Sequence, residues 1–238
     1  MEIAVIGSNG FLGSEISKIL SKKNIVTNIT KQNISEFFNN NKYFDCVVNA
    51  NGNSKKFWAN NNPLEDFELS TRSVYESVIK LNYGKYIYIS SVDASHMNMY
   101  GLNKRLSEEI VKSIAYNWTI LRCSSIVGRD MKKGFIKDIL DGTPLYVSSD
   151  SSYQFITNTE IANIVEVMAS LQINKVFEVA GIGALTVENV AKLLNKGVKY
   201  NTTTEKLFYN QDISELSKYY IIKTSKEYLL EAFSERMD

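Results

Sequence analysis

Three glycines mark where this chain could do chemistry. Gly7, Gly10 and Gly13 follow the apolar run Ile3-Ala4-Val5-Ile6 and run directly into a helical pattern. Strand, glycine turn and helix in that order form the arrangement that holds a dinucleotide pyrophosphate. Gly7 allows the sharp turn out of the strand, Gly10 lets backbone approach phosphate oxygens, and Gly13 lets the helix pack closely on the strand. The first helical N–H groups then point at the phosphates. The whole loop, Gly7, Ser8, Asn9, Gly10, Phe11, Leu12 and Gly13, is therefore a candidate cofactor contact. A second candidate follows the apolar residues 86–89, where Ser90-Ser91 ends a strand-like run and Tyr100 and Lys104 come soon after. Residues four apart share one face of a helix. Tyr219 and Lys223 repeat the spacing. Position separates the two pairs: Tyr100 follows a strand ending in hydroxyls, on the side of a parallel sheet where strand C-termini gather and ligands bind, whereas Tyr219 lies in the tail.

The elements that must position these groups are legible as alternation. Strand-like runs at 2–7, 24–29, 44–49, 85–90 and 117–122 are separated by helical patterns. That order predicts an α/β fold, a Rossmann-type doubly wound parallel sheet with helices on both faces. Pro63 near its start marks a long helix over 63–81, and 99–115 reads as another. Beyond Gly128 the alternation loosens: a helical stretch over 131–140 ends at Gly142, short strands follow near 144–147 and 153–156, and helices are expected at 158–171 and 186–195. The expected division is a dinucleotide-binding domain over 1–128 and a small C-terminal substrate lobe over 129–238, partly interleaved with the sheet.

Composition narrows the partners. With 27 basic and 26 acidic residues, the chain offers no sequence-wide electrostatic case for nucleic acid or an anionic membrane surface. Its apolar runs are too short to span a bilayer, and the N-terminus lacks a basic segment followed by a long apolar stretch, so a cytoplasmic protein with small-molecule partners is expected. Cys46 and Cys123 sit inside apolar runs and read as buried small hydrophobes. No metal site is indicated. His96, the single histidine, lies near Ser91 and Asp93, but no Gly-x-Ser-x-Gly elbow surrounds either neighbouring serine, so it reads as a loop residue and not as part of a hydrolase triad. Phe57 and Trp58 either line a pocket or pack under a loop.

Further residues carry a resemblance. Beside the glycine turn stand Asn49-Ala50-Asn51-Gly52, the hydroxyl of Ser91, the pair Tyr100 and Lys104, the segment from Ile120-Leu121-Arg122 to Gly128, and Phe155-Ile156 before Thr159-Glu160-Ile161-Ala162. Together they resemble the short-chain dehydrogenase/reductase superfamily, and more closely its extended branch acting on nucleotide sugars: the sugar epimerases, dehydratases and 4-keto reductases. The resemblance is strong to about residue 128. It implies Ser91, Tyr100 and Lys104 as catalytic groups, Asn49, Ala50, Asn51, Tyr100 and Lys104 beside the cofactor, and Ser91, Ser125 and Gln154 beside the substrate. A hydride moves between nicotinamide and a carbon bearing oxygen, so that oxygen exchanges a proton in the same step, with Tyr100 as acid or base. An ammonium about 4 Å away at an effective dielectric of about 20 favours phenolate by roughly 4 kcal/mol, which would depress the Tyr100 pKa by up to about three units. The helices at 63–81 and 99–115 resemble those that form a homodimer interface in the family.

Some positions depart from the pattern. Only nine positions separate Ser91 from Tyr100, which leaves Ser90 and Ser95 as competitors for the catalytic hydroxyl. Val92-Asp93 stands where dehydratases have Asp-Glu, so dehydration is disfavoured. Ser125 and Ser70 replace asparagines common in the family. The second strand ends in Asn28-Ile29-Thr30-Lys31 with no carboxylate for a ribose 2′-hydroxyl, and Lys31 is suited to a 2′-phosphate, so the expected cofactor is NADP in preference to NAD. The activity these features predict is reduction of a keto group on a nucleotide-linked sugar. The alternatives are an epimerase with retained NAD and a non-catalytic dinucleotide-binding regulator.

Overall fold

A computed structural model describes residues 1–233. The chain divides into two compact units, one comprising residues 1–123 and 159–177, the other 124–158 and the segment from 178 onward.

The first unit is built on strands whose residues are apolar because both sheet faces are covered. Strand β1, Glu2–Ile6, has Ile3, Ala4 and Val5 wholly buried. It leads through the glycine turn into helix α1, Phe11–Leu20, whose Leu12, Ile16, Ile19 and Leu20 form one buried stripe. Strand β2 follows at Ile25–Ile29 and β3 at Cys46–Asn49. Three helical pieces come next: α2, Lys56–Asn61, α3, Pro63–Phe67, and α4, Ser73–Lys80. Strand β4, Tyr86–Ser91, is buried throughout. A 3-10 turn at Val92–Ser95 leads to helix α5, Met99–Ile114, and then β5, Trp118–Cys123. Val74 and Val78 of α4 and Val111 of α5 pack in one cluster with Val47, Tyr86, Tyr88 and Ile120 of the sheet.

The expected helix over 63–81 exists, but a π-helical turn at Glu68–Arg72 interrupts it. Such turns occur often at functional sites. Here the turn carries two buried hydroxyls: Ser70 accepts the Asn53 N–H at 3.3 Å, and Thr71 donates to the Asn103 carbonyl at 3.2 Å. Lys56–Asn61 is a helix that periodicity alone did not single out.

The second unit is assembled from short pieces. Strand β6, Ser125–Val127, pairs parallel with β7, Phe155–Thr157. Leu145–Val147 pairs with Tyr200–Glu205, and Ser152–Tyr153 with Leu185–Thr186. Helices cover Phe135–Asp141, Val187–Leu193 and Ser225–Phe233. Tyr153 stacks on Tyr209 and meets Phe135 at a tilt, with ring centroids 5.4 and 4.6 Å apart. The expected boundary at residue 128 falls inside this unit, because β6 pairs with β7 and not with the large sheet.

Helix α6, Asn158–Ser170, returns the chain to the first unit, and strand β8, Lys175–Val179, joins its sheet. That strand was not among the expected ones. The sheet order is β8-β5-β4-β3-β1-β2, and the four pairings among β1 to β5 are parallel. The architecture is thus the expected Rossmann-type α/β sheet. From β1 the chain passes to β2 on one side and then to β3 on the other, and at such a reversal ligands bind beyond the strand C-termini. Cys46 and Cys123 are buried and form no disulfide. Among the described residues no helix is long and apolar enough to cross a membrane, and no cluster of three or more His, Cys, Asp or Glu is placed to hold a metal ion.

Candidate active site

Each glycine of the turn answers to a measurable close approach. Gly7 has φ of +80°, and a Cβ there would stand 3.0 Å from the Asn51 backbone. A Cβ on Gly13 would overlap the Gly7 carbonyl oxygen at 2.1 Å. Helix α1 therefore begins hard against the end of β1. The turn is held from beneath: Gly7 N–H and Ser8 N–H donate to the Ile29 carbonyl at 2.9 and 3.4 Å, and the Ser8 hydroxyl adds a third bond to it. Asn9, Gly10 and Phe11 are exposed, whereas Leu12 and Gly13 are buried. The N-cap of α1 is Gly10, which brings no capping side chain, and the first turn carries no acidic residue. The first N–H groups of the helix are thus available to an anion. This geometry fits a dinucleotide pyrophosphate. A cleft of about 360 Å³ opens beside the turn, lined by Ser8, Ser14, Ser17, Lys18, Val26 and Asn28 among others. No carboxylate lines it. Lys31 stands exposed just past the end of β2.

The 50–52 segment joins this turn to the second set of candidates. Asn49 is fully buried: its amide donates to Tyr86 Oη at 2.7 Å and Ser77 Oγ at 3.2 Å and accepts the Asn51 N–H at 2.9 Å. Its side chain shapes the loop from within. Ala50 N–H donates to the Ile6 carbonyl, and the Asn51 amide donates to Ser73 Oγ at 2.7 Å. Gly52, with φ of +129°, lies close to two buried polar side chains: a Cβ there would stand 3.4 Å from Ser70 Oγ and 3.7 Å from Lys104 Nζ. Gly7, Asn51, Gly52 and Lys104 thus run in one contiguous line from the glycine turn. A second cleft of about 230 Å³ opens here, lined by Asn51, Gly52, Asn53, Lys55, Trp58 and Leu69. Trp58 lines it, while Phe57 is exposed.

Helix α5 turns an unusual buried face toward the sheet. Tyr100, Lys104 and Glu108, at successive i,i+4 positions, are all buried. Asn98 caps the helix by accepting the Gly101 N–H at 2.8 Å, which places Tyr100 in the first turn. Gly101 is required by proximity, since a Cβ there would lie 2.2 Å from the Asp93 carbonyl oxygen and 2.6 Å from that of His96. Lys104 Nζ donates to the Ile89 carbonyl at 3.3 Å and lies 5.1 Å from the Tyr88 ring centre and 5.9 Å from that of Tyr100. The candidate serines separate cleanly. Ser90 donates to Glu108 at 2.5 Å, and Glu108 is in turn bound by Arg122 through two bonds of 2.7 and 2.9 Å. Ser95 is exposed. Ser91, by contrast, is buried at the end of β4, its hydroxyl turned to Asp93 at 3.3 Å, and it acts on the Tyr100 phenol electrostatically.

The electrostatics differ from the expectation of a depressed phenol. Burial pushes the Tyr100 pKa above its ordinary value, and the Asp93 carboxylate and the Tyr88 phenol push the same way; the Lys104 ammonium and the Ser91 hydroxyl pull it down without prevailing. The sequence argument included the lysine and omitted desolvation, which is the larger effect for a phenol sealed from water. At neutral pH the group is a phenol.

Several polar partners were not singled out by spacing. Asp93, nearly buried, binds Lys56 at 2.6 Å, His96 at 3.1 Å and Ser91 at 3.3 Å. His96 is the loop residue expected, and it closes the 3-10 turn against that carboxylate. Asp66, wholly buried, accepts from the Asn103 amide at 2.6 Å beside Lys104. The available signals were an acid two residues after Ser91 and an amide next to Lys104.

In the second unit, Ser125 opens β6 and is partly exposed. Gln154 is buried, and its amide is engaged with backbone, donating to the Gly181 and Gln211 carbonyls at 3.0 and 3.3 Å and accepting the Gln211 N–H at 2.5 Å. The second Tyr–Lys pair does not come together as a site: Tyr219 is exposed, and Lys223 pairs with Glu231.

Comparison with known proteins agrees with this geometry. The structure is similar to a UDP-N-acetylglucosamine 4-epimerase from Methanobrevibacter ruminantium M1, with a TM-score of 0.82, 20% identity, and coverage of 98% of this chain and 97% of that one. It is similar to a UDP-glucuronic acid 4-epimerase from Bacillus cereus solved with UDP-glucuronic acid and NAD, at TM-score 0.80, 16% identity and coverage of 100% and 99%. A dTDP-4-dehydrorhamnose reductase from Bacillus anthracis str. Ames solved with NADP matches at TM-score 0.79, 14% identity and coverage of 98% of both chains. At these identities the likeness shows the fold. No curated protein matches the chain in sequence. The sequence model of one family does match, over residues 3–180, which includes the glycine turn, Ser91, Tyr100 and Lys104: the chain belongs to the NAD dependent epimerase/dehydratase family.

Proposed function

We propose that this protein is an NAD(P)-dependent oxidoreductase that reduces a keto group on a nucleotide-linked sugar, with Tyr100 as general acid. One observation carries the reading: a buried phenol whose ring centre lies 5.9 Å from Lys104 Nζ on one face of α5, packed at the end of the strand that ends in Ser91 and connected through Gly52 and Asn51 to the glycine turn. Bound in that turn, a nicotinamide dinucleotide supplies the hydride to the carbonyl carbon. The turn from Gly7 to Gly13 holds its pyrophosphate on the α1 N-terminus, and Asn49, Ala50 and Asn51 form the adjoining wall. As the carbonyl oxygen gains negative charge, Tyr100 donates its proton to it, and Ser91 holds that oxygen by hydrogen bond. Lys104 stabilises the phenolate left behind and has N–H groups to offer a ribose. The upward shift of the Tyr100 pKa supports the reductive direction, because a general acid must begin protonated. An epimerase cycle starts with Tyr100 as base, which the same burial disfavours.

NADP is the proposed cofactor, supported by the carboxylate-free cleft at Ser8, Ser14 and Asn28 and by Lys31 at the end of β2. Ser125, and the strand that Gln154 ties down, are proposed to meet the nucleotide sugar. A homodimer is supported by exposed apolar side chains on the packed helices α4 and α5, among them Tyr75, Ile79, Leu102 and Leu106. A cytoplasmic location accords with a soluble cofactor and substrate.

The test is purified protein mixed with NADPH or NADH and a panel of UDP- and dTDP-linked keto sugars. NADPH is expected to be consumed faster than NADH, with formation of the reduced sugar. Silence across the panel overturns the reductase reading. NAD that copurifies and resists dialysis, together with interconversion of sugar epimers, replaces it with the epimerase.

A further inference from the structure

One fully buried acid lies outside the reacting groups. Asp66, near the end of α3, is wholly buried, and among the described residues no cation pairs with it. A carboxylate out of water must be held by hydrogen bonds. Here the two donors come from two different walls of the site: Oδ2 accepts from the Asn103 amide of α5 at 2.6 Å, and Oδ1 accepts from the Ser70 hydroxyl of the π turn at 3.4 Å. We propose that Asp66 is a positioning residue of the cofactor site: bound to Ser70 and Asn103 at once, it fixes the spacing between the loop Asn51–Asn53 and the turn of α5 that carries Lys104.

A carboxylate only accepts, so the Ser70 proton and an Asn103 amide proton both point at Asp66. Serine has one proton to give. With that proton on Asp66, the Ser70 oxygen is left to accept, and it takes the Asn53 N–H at 3.3 Å. This bond holds the loop beyond Gly52, whose φ of +129° is a conformation that side chains rarely adopt. Before Gly52 the loop is held separately: the Asn51 amide donates to Ser73 Oγ at 2.7 Å and to the Leu69 carbonyl at 3.4 Å. A Cβ on Gly52 would stand within 3.7 Å of both Ser70 Oγ and Lys104 Nζ, so the loop, the π turn and the lysine meet at one point. On the other wall, Asn103 immediately precedes Lys104, and its carbonyl accepts from Thr71 at 3.2 Å and from Ser107 at 2.8 Å. The Thr71 hydroxyl therefore ties the same π turn to α5 with no bond to the loop. Ser70 is the link that reaches the loop, and Asp66 joins that link to α5.

The inference rests on this loop being a wall of a nicotinamide-dinucleotide site, and two measurements keep the ideas apart. Affinity for NADPH is read by fluorescence titration of the full chain, and hydrogen exchange of the peptide spanning Asn51–Asn53 is followed with no cofactor present. Ser70→Ala is expected to weaken NADPH binding about fivefold, the effect of one lost hydrogen bond, and to speed exchange in that peptide. Asp66→Ala, or Asp66→Leu should the cavity prevent folding, is expected to do the same. The double variant should do no more than the larger single one, because Asp66 acts on the loop through Ser70. Asp66→Asn is expected to stay within about twofold of the parent, since its carbonyl still accepts from Ser70 and its amide can donate to the Asn103 oxygen once that side chain turns over. Thr71 is as buried as Ser70, 3% exposed against 2%. Thr71→Val removes a hydrogen bond from the same turn and should lower stability in urea while leaving affinity and exchange at parent values. Additive losses at Asp66 and Ser70, a loss in Asp66→Asn as large as in Asp66→Ala, or an equal loss from Thr71→Val overturns the proposal. Unchanged exchange in both Ser70→Ala and Asp66→Ala overturns it as well. A parent that binds neither NADPH nor NADH ends the cofactor reading, and hydrogen exchange still decides whether Asp66 holds the loop.

Discussion

Each of the two units contains a tyrosine followed four residues later by a lysine, and only in the first does the pair share surroundings. Tyr100 and Lys104 lie on α5, where the i,i+4 spacing stacks both on a buried face against β4. Tyr219 follows the 3-10 turn Leu216–Lys218, and the next helix does not begin until Ser225. Without a helix the spacing has no geometric meaning. Lys223 turns to Glu231, and its N–H donates to Tyr228 at 3.1 Å. The contrast extends to the scaffolds. Long parallel strands in the first unit bring hydroxyls, carboxylates and an ammonium to one end of a sheet and seal them from water, whereas the short paired strands of the second tie down backbone, as Gln154 does. A motif becomes a site where burial amplifies each charge.

The largest test of this contrast is Tyr100→Phe, which is expected to lower turnover by about 10²–10⁴-fold without loss of fold, the usual range for a general acid. Steady-state rates with the active keto sugar measure it. Gly13→Ala comes next. Its Cβ meets the Gly7 carbonyl at 2.1 Å, so overpacking is expected to cost about 2–3 kcal/mol and to weaken dinucleotide binding. Gly197→Ala in the second unit, with nothing within 4 Å, should change stability by less than about 0.5 kcal/mol. Denaturant melts and cofactor titration compare the two.

Alkaline pH should also separate the units. Burial pushes Cys46 and Tyr83 up to about 12 and raises Tyr86, Tyr88 and Tyr100 as well. All five belong to the first unit. The native state then holds protons that the unfolded chain releases above about pH 9–10, so stability is intact below that range and falls as pH rises through it. Trp58 and Trp118 both lie in the first unit, so tryptophan fluorescence in urea reads its loss directly. A flat profile from pH 8 to about 11 would show that these groups are more accessible than their packing implies. The smallest expected effect is Tyr219→Phe, with turnover within about twofold of the parent. A large loss there would put the second pair back among the catalytic candidates.

Much of the fold was readable, and the reasons are local. Ile3, Ala4 and Val5 before Gly7 announce a covered strand, because only a sheet with both faces buried accepts an unbroken apolar run. Pro63 marked a helix start. The π turn at Glu68–Arg72 was not readable, since its buried Ser70 and Thr71 look like surface residues until Asn53 and Asn103 arrive from elsewhere in the chain. Strand Lys175–Val179 was missed because its two charges hide the alternation of buried Phe177 and Val179. In the site, Tyr100 and Lys104 were recognisable from their place after a strand end. His96 lies in a loop as expected, but its contact with Asp93 was not readable, because that carboxylate is set in place by Lys56, 37 positions earlier in the chain.

What the sequence determined by itself was therefore the glycine turn, the alternation that builds a parallel sheet, and the helical face shared by Tyr100 and Lys104. These follow from backbone sterics and from the periods of strand and helix, which act over a few residues. The tertiary structure alone decided that Ser90 is taken up by Glu108, that Asp93 is held by Lys56 and His96, and that the phenol is harder and not easier to ionise. Those outcomes depend on desolvation and on charges contributed by distant segments, and neither exists until the chain has folded.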